Sequence, residues 1–235
     1  MMRRGSSISV VIPTLNEAKD IVSLLAALVP VRTAGGEILI VDGDSPDGTA
    51  GVAAPHADRV LSAPRGRAAQ MNAGAAAARG DLLVFLHADT RAPIETLLRL
   101  PDWLARSGRS WGRFDVRIEG HHPLLPCIAW SMSQRSRLTG IATGDQAIFV
   151  ERALFEHVGG YPEIPLMEDI ALSRRLKRHG PPLCVREHVV TSGRRWESKG
   201  VARTVLLMWW LRLAYALGVH PDRLSRIYGH RSRPD

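Results

Sequence analysis

With 235 residues, 45% of them hydrophobic and 6% aromatic, the chain is ordinary in composition for a globular protein and long enough to bury a substantial core. Its formal net charge of +8 admits an anionic partner, but only three of the 31 basic side chains are lysines and no long block of like charge occurs, which argues against a nucleic-acid tail and leaves coding bias as an equal explanation. Cys127 and Cys184 have neither CxxC spacing nor a histidine pattern nearby, so neither a disulfide framework nor a structural zinc site is implied.

The N-terminus, MMRRGSSISVVIP, has a basic start but only a short apolar run closed by proline and no small-residue cleavage pattern, so it reads as the first strand rather than a signal peptide. ISVVIP (8–13) is that strand, and 17–29 a helix with Ile21, Leu24, Leu25 and Leu28 on one face. A second strand, EILIVD (37–42), precedes Ser45-Pro46-Asp47, which reads as an N-cap, a proline at the first helical position and a first-turn acid. DRVL (58–61) is a third strand, and 66–80 an alanine-rich helix whose small side chains permit close approach to the sheet. DLLVFL (81–86), apolar throughout, is a strand buried on both faces. Past Asp89 the regularity weakens. Strands are expected over 111–118 and 146–150, a helix over 168–178, and the stretch 121–140 is either a helix or a mobile loop. This alternation predicts an α/β fold, a mostly parallel, Rossmann-like sheet flanked by helices.

Residues 201–219, VARTVLLMWWLRLAYALGV, form the last helix. A membrane span needs ~20 apolar residues, and Arg212 near the middle costs about 3 kcal/mol on insertion. Docking on the rest of the chain or on a second subunit is therefore favoured, with membrane-surface contact through Trp209 and Trp210 as the alternative.

In an open parallel sheet, ligands bind beyond the carboxyl ends of the strands. Polar clusters stand at three such ends: Pro13, Thr14, Asn16 and Glu17 after the first strand, Asp42 and Asp44 after the second, His87 and Asp89 after the fourth. An i, i+2 pair on extended backbone points to one face, so His87 and Asp89 are expected to address one ligand. Such a pair can hold a divalent cation, the imidazole shifting preference from Mg2+ toward Mn2+; alternatively His87 is a neutral strand-end residue and only Asp89 functions. Arg65-Gly66-Arg67 opens the alanine-rich helix, where N–H groups and guanidiniums suit a diphosphate. In a helix starting at 168, Asp169 shares a side with Leu172 and Leu176 and faces inward, while Glu168 is turned about 100° away.

VVIPTLNE (10–17), VDGDSPDGT (41–49), the HAD of 87–89 where relatives commonly carry Asp-x-Asp, and MED (167–169) follow one another as in the family 2 glycosyltransferases of GT-A type, which the chain resembles over roughly residues 8–190. GRAAQMNAG, FLHADT, GDQAIFV, PLMEDIALSRRL and SGRRW resemble more narrowly a bacterial subgroup linked to radical-SAM genes and arsenosugar biosynthesis. The resemblance implies a GT-A catalytic domain over 1–199, with a C-terminal helix and basic tail over 200–235, and inverting transfer of a sugar from a nucleoside diphosphate, expected to be UDP, to an acceptor hydroxyl. In similar proteins Pro13, Thr14, Asn16 and Glu17 line the nucleoside pocket. Asp42 would accept the imide N–H of uracil, Asp44 would bond the ribose or support its loop, and Arg65, Gly66 and Arg67 would hold the diphosphate. Asp89 with His87 would hold Mn2+ or Mg2+.

On the same resemblance Asp169 is the general base, with Glu168 or Asp145 next in line; first-turn acids are also common on helix-dipole grounds alone. Gly144, Asp145 and Gln146 border the donor sugar and acceptor, or simply turn the chain into a strand. Arg195-Trp196 matches the RW of the (Q/R)xxRW element of processive relatives, but Ser192 departs from it, which puts processive synthesis in doubt; Trp196 either stacks on the acceptor or packs in the core. Two rivals stay open. A sugar nucleotidyltransferase would carry a glycine-rich, lysine-containing loop after the first strand, which TLNEAKD is not; a nucleotide-binding protein would keep the scaffold with an impaired metal site. No nucleic-acid partner is expected, a homodimer is admitted, and the expected location is the cytoplasm or the inner face of its membrane.

Overall fold

The computed structural model describes residues 7–228, apart from the side chains of residues 195, 198 and 199. The basic tail expected after residue 228 thus lies outside the described residues. In chain order the first half comprises β1 (Ile8–Thr14), α1 (Ile21–Ala27), α2 (Val29–Thr33), β2 (Glu37–Asp42), α3 (Thr49–Ala53), β3 (Arg59–Ser62), α4 (Arg67–Ala77) and β4 (Leu82–Phe85). There follow β5 (Thr90–Arg91), α5 (Ile94–Ser107), β6 (Trp111–Glu119), α6 (Leu125–Thr139), β7 (Phe149–Glu151) and α7 (Arg152–His157). The chain continues through α8 (Glu168–Leu176), β8 (Leu183–Ser192), α9 (Arg194–Lys199), α10 (Val201–Ala216) and α11 (Pro221–Tyr228).

One eight-stranded sheet runs β3-β2-β1-β4-β7-β6-β8-β5. β1 to β4 are mutually parallel, β7 is antiparallel to both β4 and β6, and β8 pairs parallel with β6 and antiparallel with β5. The expected parallel character therefore holds up to β4, and the sheet is mixed beyond it. Side chains alternate across a strand, and the core divides accordingly. Val10, Ile12, Ile40 and Val84 point to the face covered by α1 and α5, whereas Val11, Val41, Leu83 and Phe85 point to the face covered by α4 and α8. α4 lies tight on that second face because it presents small residues: a Cβ on Gly74 would stand 2.3 Å from Val11 Cγ1.

Several boundaries differ from expectation for identifiable reasons. The helix expected from 17 starts at Ile21, since Asn16 adopts φ 60 and the Glu17 N–H is taken by the Thr49 hydroxyl. The helix expected directly after Ser45 starts at Thr49 behind Gly48 (φ 80), because the Ser45 hydroxyl turns back to Asp42 instead of capping forward. The 121–140 stretch contains α6, closed by Gly140 at φ 68. The strand expected over 146–150 begins at Phe149, since Gly144–Gln146 winds into a 3-10 turn. β8 escaped the sequence because Arg186, Glu187 and His188 interrupt its apolar pattern at a bulge, where the register against β6 slips between Phe114 and Asp115. α10 and α11 dock through Leu211, Ala214, Leu224 and Tyr228 onto Leu166, Met167 and Ile170. Among the described residues no helix is long and apolar enough to cross a membrane.

Candidate active site

Asp42 closes β2 with its carboxylate built into the surrounding loops. Oδ1 accepts hydrogen bonds from the Thr14 hydroxyl (3.0 Å) and the Ser45 hydroxyl (2.6 Å), and Oδ2 accepts one from the Ser45 N–H (2.8 Å). The Ser45 oxygen in turn accepts the Asn16 N–H at 3.0 Å. Gln70, in α4, donates to the carbonyls of Thr14 and Val41, both at 2.8 Å, and Arg65 donates to those of Gly43 (3.1 Å) and Asp44 (2.9 Å). Polar groups withdrawn from water need partners, and this end of the site finds them within the protein. The result is a fixed rim made of the ends of β1 and β2 and the start of α4, with Asn16, Asp44 and Gly66 exposed on it and Pro13 half-buried.

The opposite side is assembled by the antiparallel strand. With Val84 opposite Phe149, β7 carries the Gly144–Gln146 turn to the end of β4, where His87 stands. His87 Nδ1 lies 3.5 Å from Asp145 Oδ1, and a Cβ on Gly144 would come within 2.5 Å of the imidazole, so only glycine fits there without displacing the ring. The Gly144 N–H donates to Asp169 Oδ2 (3.0 Å) and the Ile170 N–H to Asp169 Oδ1 (2.7 Å). Ser173 ties α8 to the same turn through the N–H and carbonyl of Ala142. Asn16, Asp44, Ala147 and Met167, the non-glycine residues with positive φ among those described, all flank these two rims. Such strain persists only where the surroundings enforce it, and it gathers at functional sites.

Electrostatics distinguish the two acids that open α8. Glu168 is buried and pushed up to about 7, by burial first and then by Asp169, with Arg67 and His87 opposing. Arg67 keeps an exposed surface although its guanidinium is crowded by protein. Burial works against its charge, but Glu168, Asp145, Tyr228 and Asp169 outweigh that and raise its pKa. On the β1 side Glu17 is raised by burial and next by Asp89.

Of the expected residues, Asp42 and Thr14 are bonded to each other and linked through Gln70, which was not expected, to α4; Arg67 at the start of α4 lies within electrostatic reach of Glu168, Asp145 and Asp169, and His87 stands against Asp145. The structure also corrects several expectations. The N–H of Thr90 bonds the His87 carbonyl, so 87–90 is a turn and not extended strand; His87 is buried against Gly144, while Asp89 is exposed and lies toward Glu17. Glu168 is more deeply enclosed than Asp169, the reverse of the helical-wheel expectation, because the first turn of α8 meets the site rather than the sheet. Gln146 is fully buried, its amide donating to Ser136 and Phe114, so it braces the turn from behind. Trp196 packs against the main core. The Arg195 side chain lies outside the described residues. Two residues near Asp145 and Asp169 went unrecognised, Arg135 of α6 and Arg212 of α10. For Arg212 the available signal was an arginine in the middle of an otherwise apolar helix, which the sequence presented only as a cost of membrane insertion; Arg135 lies in a polar run of α6 and gave no such signal.

This arrangement, a hydrogen-bonded rim facing carboxylates at the carboxyl ends of β1, β2 and β4, accords with the family comparison: the model for glycosyl transferase family 2 matches residues 9–150. The chain belongs to that family. It is 38% identical over 86 residues to uncharacterized glycosyltransferases of Mycobacterium bovis and Mycobacterium tuberculosis, a match spanning 36% of this chain and 38% of theirs. A mannosyltransferase of Pyrobaculum calidifontis, solved with GDP-Man and Mn2+, superposes with a TM-score of 0.63 at 22% identity, over 79% of this chain and 56% of that one. S. aureus TarS 1-349 in complex with UDP-GlcNAc gives 0.64 at 18% identity, over 79% and 58%. The mannosyl-3-phosphoglycerate synthase of Rubrobacter xylanophilus gives 0.57 at 22% identity, covering 98% of this chain and 77% of that one. At such identities these structures establish the GT-A fold of the family 2 chain.

Proposed function

We propose that this protein transfers a sugar from a nucleoside diphosphate sugar, with UDP the expected nucleotide, to an acceptor hydroxyl with inversion at the anomeric carbon. The observation carrying this reading is the Gly144–Asp169 hydrogen bond, which holds a carboxylate on the rim opposite Asp42. Neighbours of the same fold solved with GDP-Man and UDP-GlcNAc support a nucleotide-sugar donor. Asp42 would read the base with the lone pair that Oδ2 retains, and the N-terminus of α4 with Arg67 would take the diphosphate. The acceptor oxygen attacks the anomeric carbon, the bond from that carbon to the diphosphate oxygen breaks with its electron pair leaving on the diphosphate, and the acceptor proton passes to Asp169. A single base opposite the leaving group suits direct displacement, whereas double displacement needs a nucleophile beside the anomeric carbon.

The donor set fits a lightly held divalent cation. Among the described residues no group of three or more His, Cys, Asp or Glu side chains could hold a metal ion. Asp89, with Glu17 within its electrostatic reach and His87 behind, would therefore anchor Mn2+ or Mg2+ only with phosphate oxygens completing the shell. When bound, such an ion would neutralise charge on the diphosphate. No step depends on the narrower subgroup linked to radical-SAM genes and arsenosugar biosynthesis. The outer face of α10, with Leu206, Trp209, Trp210 and Leu213 exposed, is where membrane-surface or subunit contact would fall, and co-sedimentation with vesicles together with solution mass distinguishes the two.

The deciding experiment is a screen of UDP- and GDP-sugars for nucleotide release, with and without Mn2+, paired with calorimetry of UDP binding. Release from a UDP-sugar that depends on the cation is expected. UDP binding with no turnover of any donor favours a nucleotide-binding protein, and absence of both defeats the proposal.

A further inference from the structure

The acceptor side of the site holds two cations that the reaction above leaves unused. Arg135 projects from α6, and its Nε and Nη2 are shut off from solvent without a hydrogen-bond partner. Its guanidinium is pushed down to about 10, by burial first and then by Arg212, with Arg113 adding to the effect and Asp169 and Asp145 opposing it. Arg212 projects from the half-buried side of α10, where burial also lowers it while Asp169 and Asp145 oppose. Arg113 is better met: it pairs with Asp115 and donates to the Ser133 carbonyl, and of its nitrogens Nε alone is buried without a partner. α10 is held in place by its apolar contacts with Leu166, Met167 and Ile170, so packing and not attraction sets Arg212 within electrostatic reach of Arg135.

Withdrawing guanidinium N–H groups from water without giving them an acceptor is costly, and placing a second cation beside them adds to that cost. Asp169 and Asp145 offset that cost only through their charge, for Asp169 accepts the N–H groups of Gly144 and Ile170 and the Arg135 Nε and Nη2 donors stay unmet. An oxyanion would satisfy both residues at once, because the planar fork of arginine matches phosphate and carboxylate. We propose that Arg135 and Arg212 form the seat of an anionic group, a phosphate or carboxylate, carried by the acceptor close to the hydroxyl that Asp169 deprotonates. The assignment rests on the transferase reading of the site and gives the acceptor a chemical class. It also gives α10 a part in acceptor choice, since the helix that docks beside α8 supplies half of the seat.

The test uses binding, so that it does not require the natural acceptor. Glycerol 3-phosphate, glycerol and inorganic phosphate are titrated into the UDP-loaded protein by calorimetry, and vesicles with and without phosphatidic acid are offered in parallel to separate a soluble from a lipid-borne phosphate. Glycerol 3-phosphate is expected to bind and glycerol not to bind. Arg135→Gln and Arg212→Gln are each expected to weaken it by at least roughly tenfold, the effect of losing a charged hydrogen bond, with the Kd for UDP unchanged. Arg135→Lys, which keeps the charge and loses the fork, covers the case in which the glutamine variant fails to fold, and should weaken binding less than Arg135→Gln. Anion binding that is equal in wild type and variants overturns the seat, as does a loss of UDP affinity in the variants, which would assign the arginines to the donor diphosphate. A protein that binds the anion through these arginines but never binds UDP would instead overturn the transferase reading and leave the seat standing.

Discussion

The two rims of the site are built on opposite principles. Around Asp42 the polar groups are satisfied internally: Thr14, Ser45, Gln70 and Arg65 fasten the ends of β1 and β2 to one another and to α4. Around Asp169 charges are crowded and incompletely met, with Glu168 pushed up to about 7 and Arg135 leaving two buried donors without partners. A closed network has a fixed shape before any ligand arrives, which suits a moiety common to many donors. An open one costs stability until a ligand completes it, which suits the partner that distinguishes one enzyme from the next.

The largest test of that contrast is Asp169→Asn. It should bind UDP as wild type does and lose turnover by at least roughly 10², the lower range for removal of a general base, as read in a donor-release assay. Undiminished turnover would move the base to Glu168 or Asp145. Glu168 offers the next effect through pH. Its folded pKa of about 7 stands above the ordinary 4.5, so its contribution to stability is complete below about pH 4.5 and is lost as pH rises through about 7. Thermal unfolding between pH 5 and 8 should show wild type losing at most about 3 kcal/mol on this account, while Glu168→Gln loses little. Parallel pH curves for the two proteins would mean that the carboxyl is not enclosed as described.

Asp42→Ala should damage the closed rim in two ways. Thr14 and Ser45 lose their acceptor, costing about 1–3 kcal/mol in denaturant unfolding, and UDP affinity falls roughly tenfold. Arg135→Met reverses the sign. Removing the unmet donors and the repulsion from Arg212 should stabilise the ligand-free protein by about 1 kcal/mol, seen as a rise in Tm of about 2–4 °C. A fall in Tm would show that Arg135 is already satisfied and that the contrast between the rims is overstated.

Much of the closed rim was legible in the sequence, because local rules govern it. Apolar runs punctuated by glycine and polar clusters located β1, β2, β4 and α4, and strand ends located Asp42 and Thr14 without further information. Where reading failed, a local preference met a tertiary competitor. Ser45 had the chemistry of a cap, but the Asp42 carboxylate took its hydroxyl. His87 and Asp89 had the spacing of a shared strand face, but the chain turned between them.

By itself the sequence determined the strands of the parallel half of the sheet, the order of its motifs and the side of the sheet on which chemistry gathers, since these follow from side-chain periodicity; it did not determine that β4 returns beside β1 and not beside β3. Only the tertiary structure decided that β7 returns antiparallel to set Gly144 and Asp145 against His87, that Glu168 is more enclosed than Asp169, and that α6 and α10 set Arg135 and Arg212 within electrostatic reach of each other. Strand direction and helix docking are settled by burial summed over distant apolar surfaces, such as Leu211 and Ala214 on Ile170, and no local pattern encodes which distant residues will share that surface.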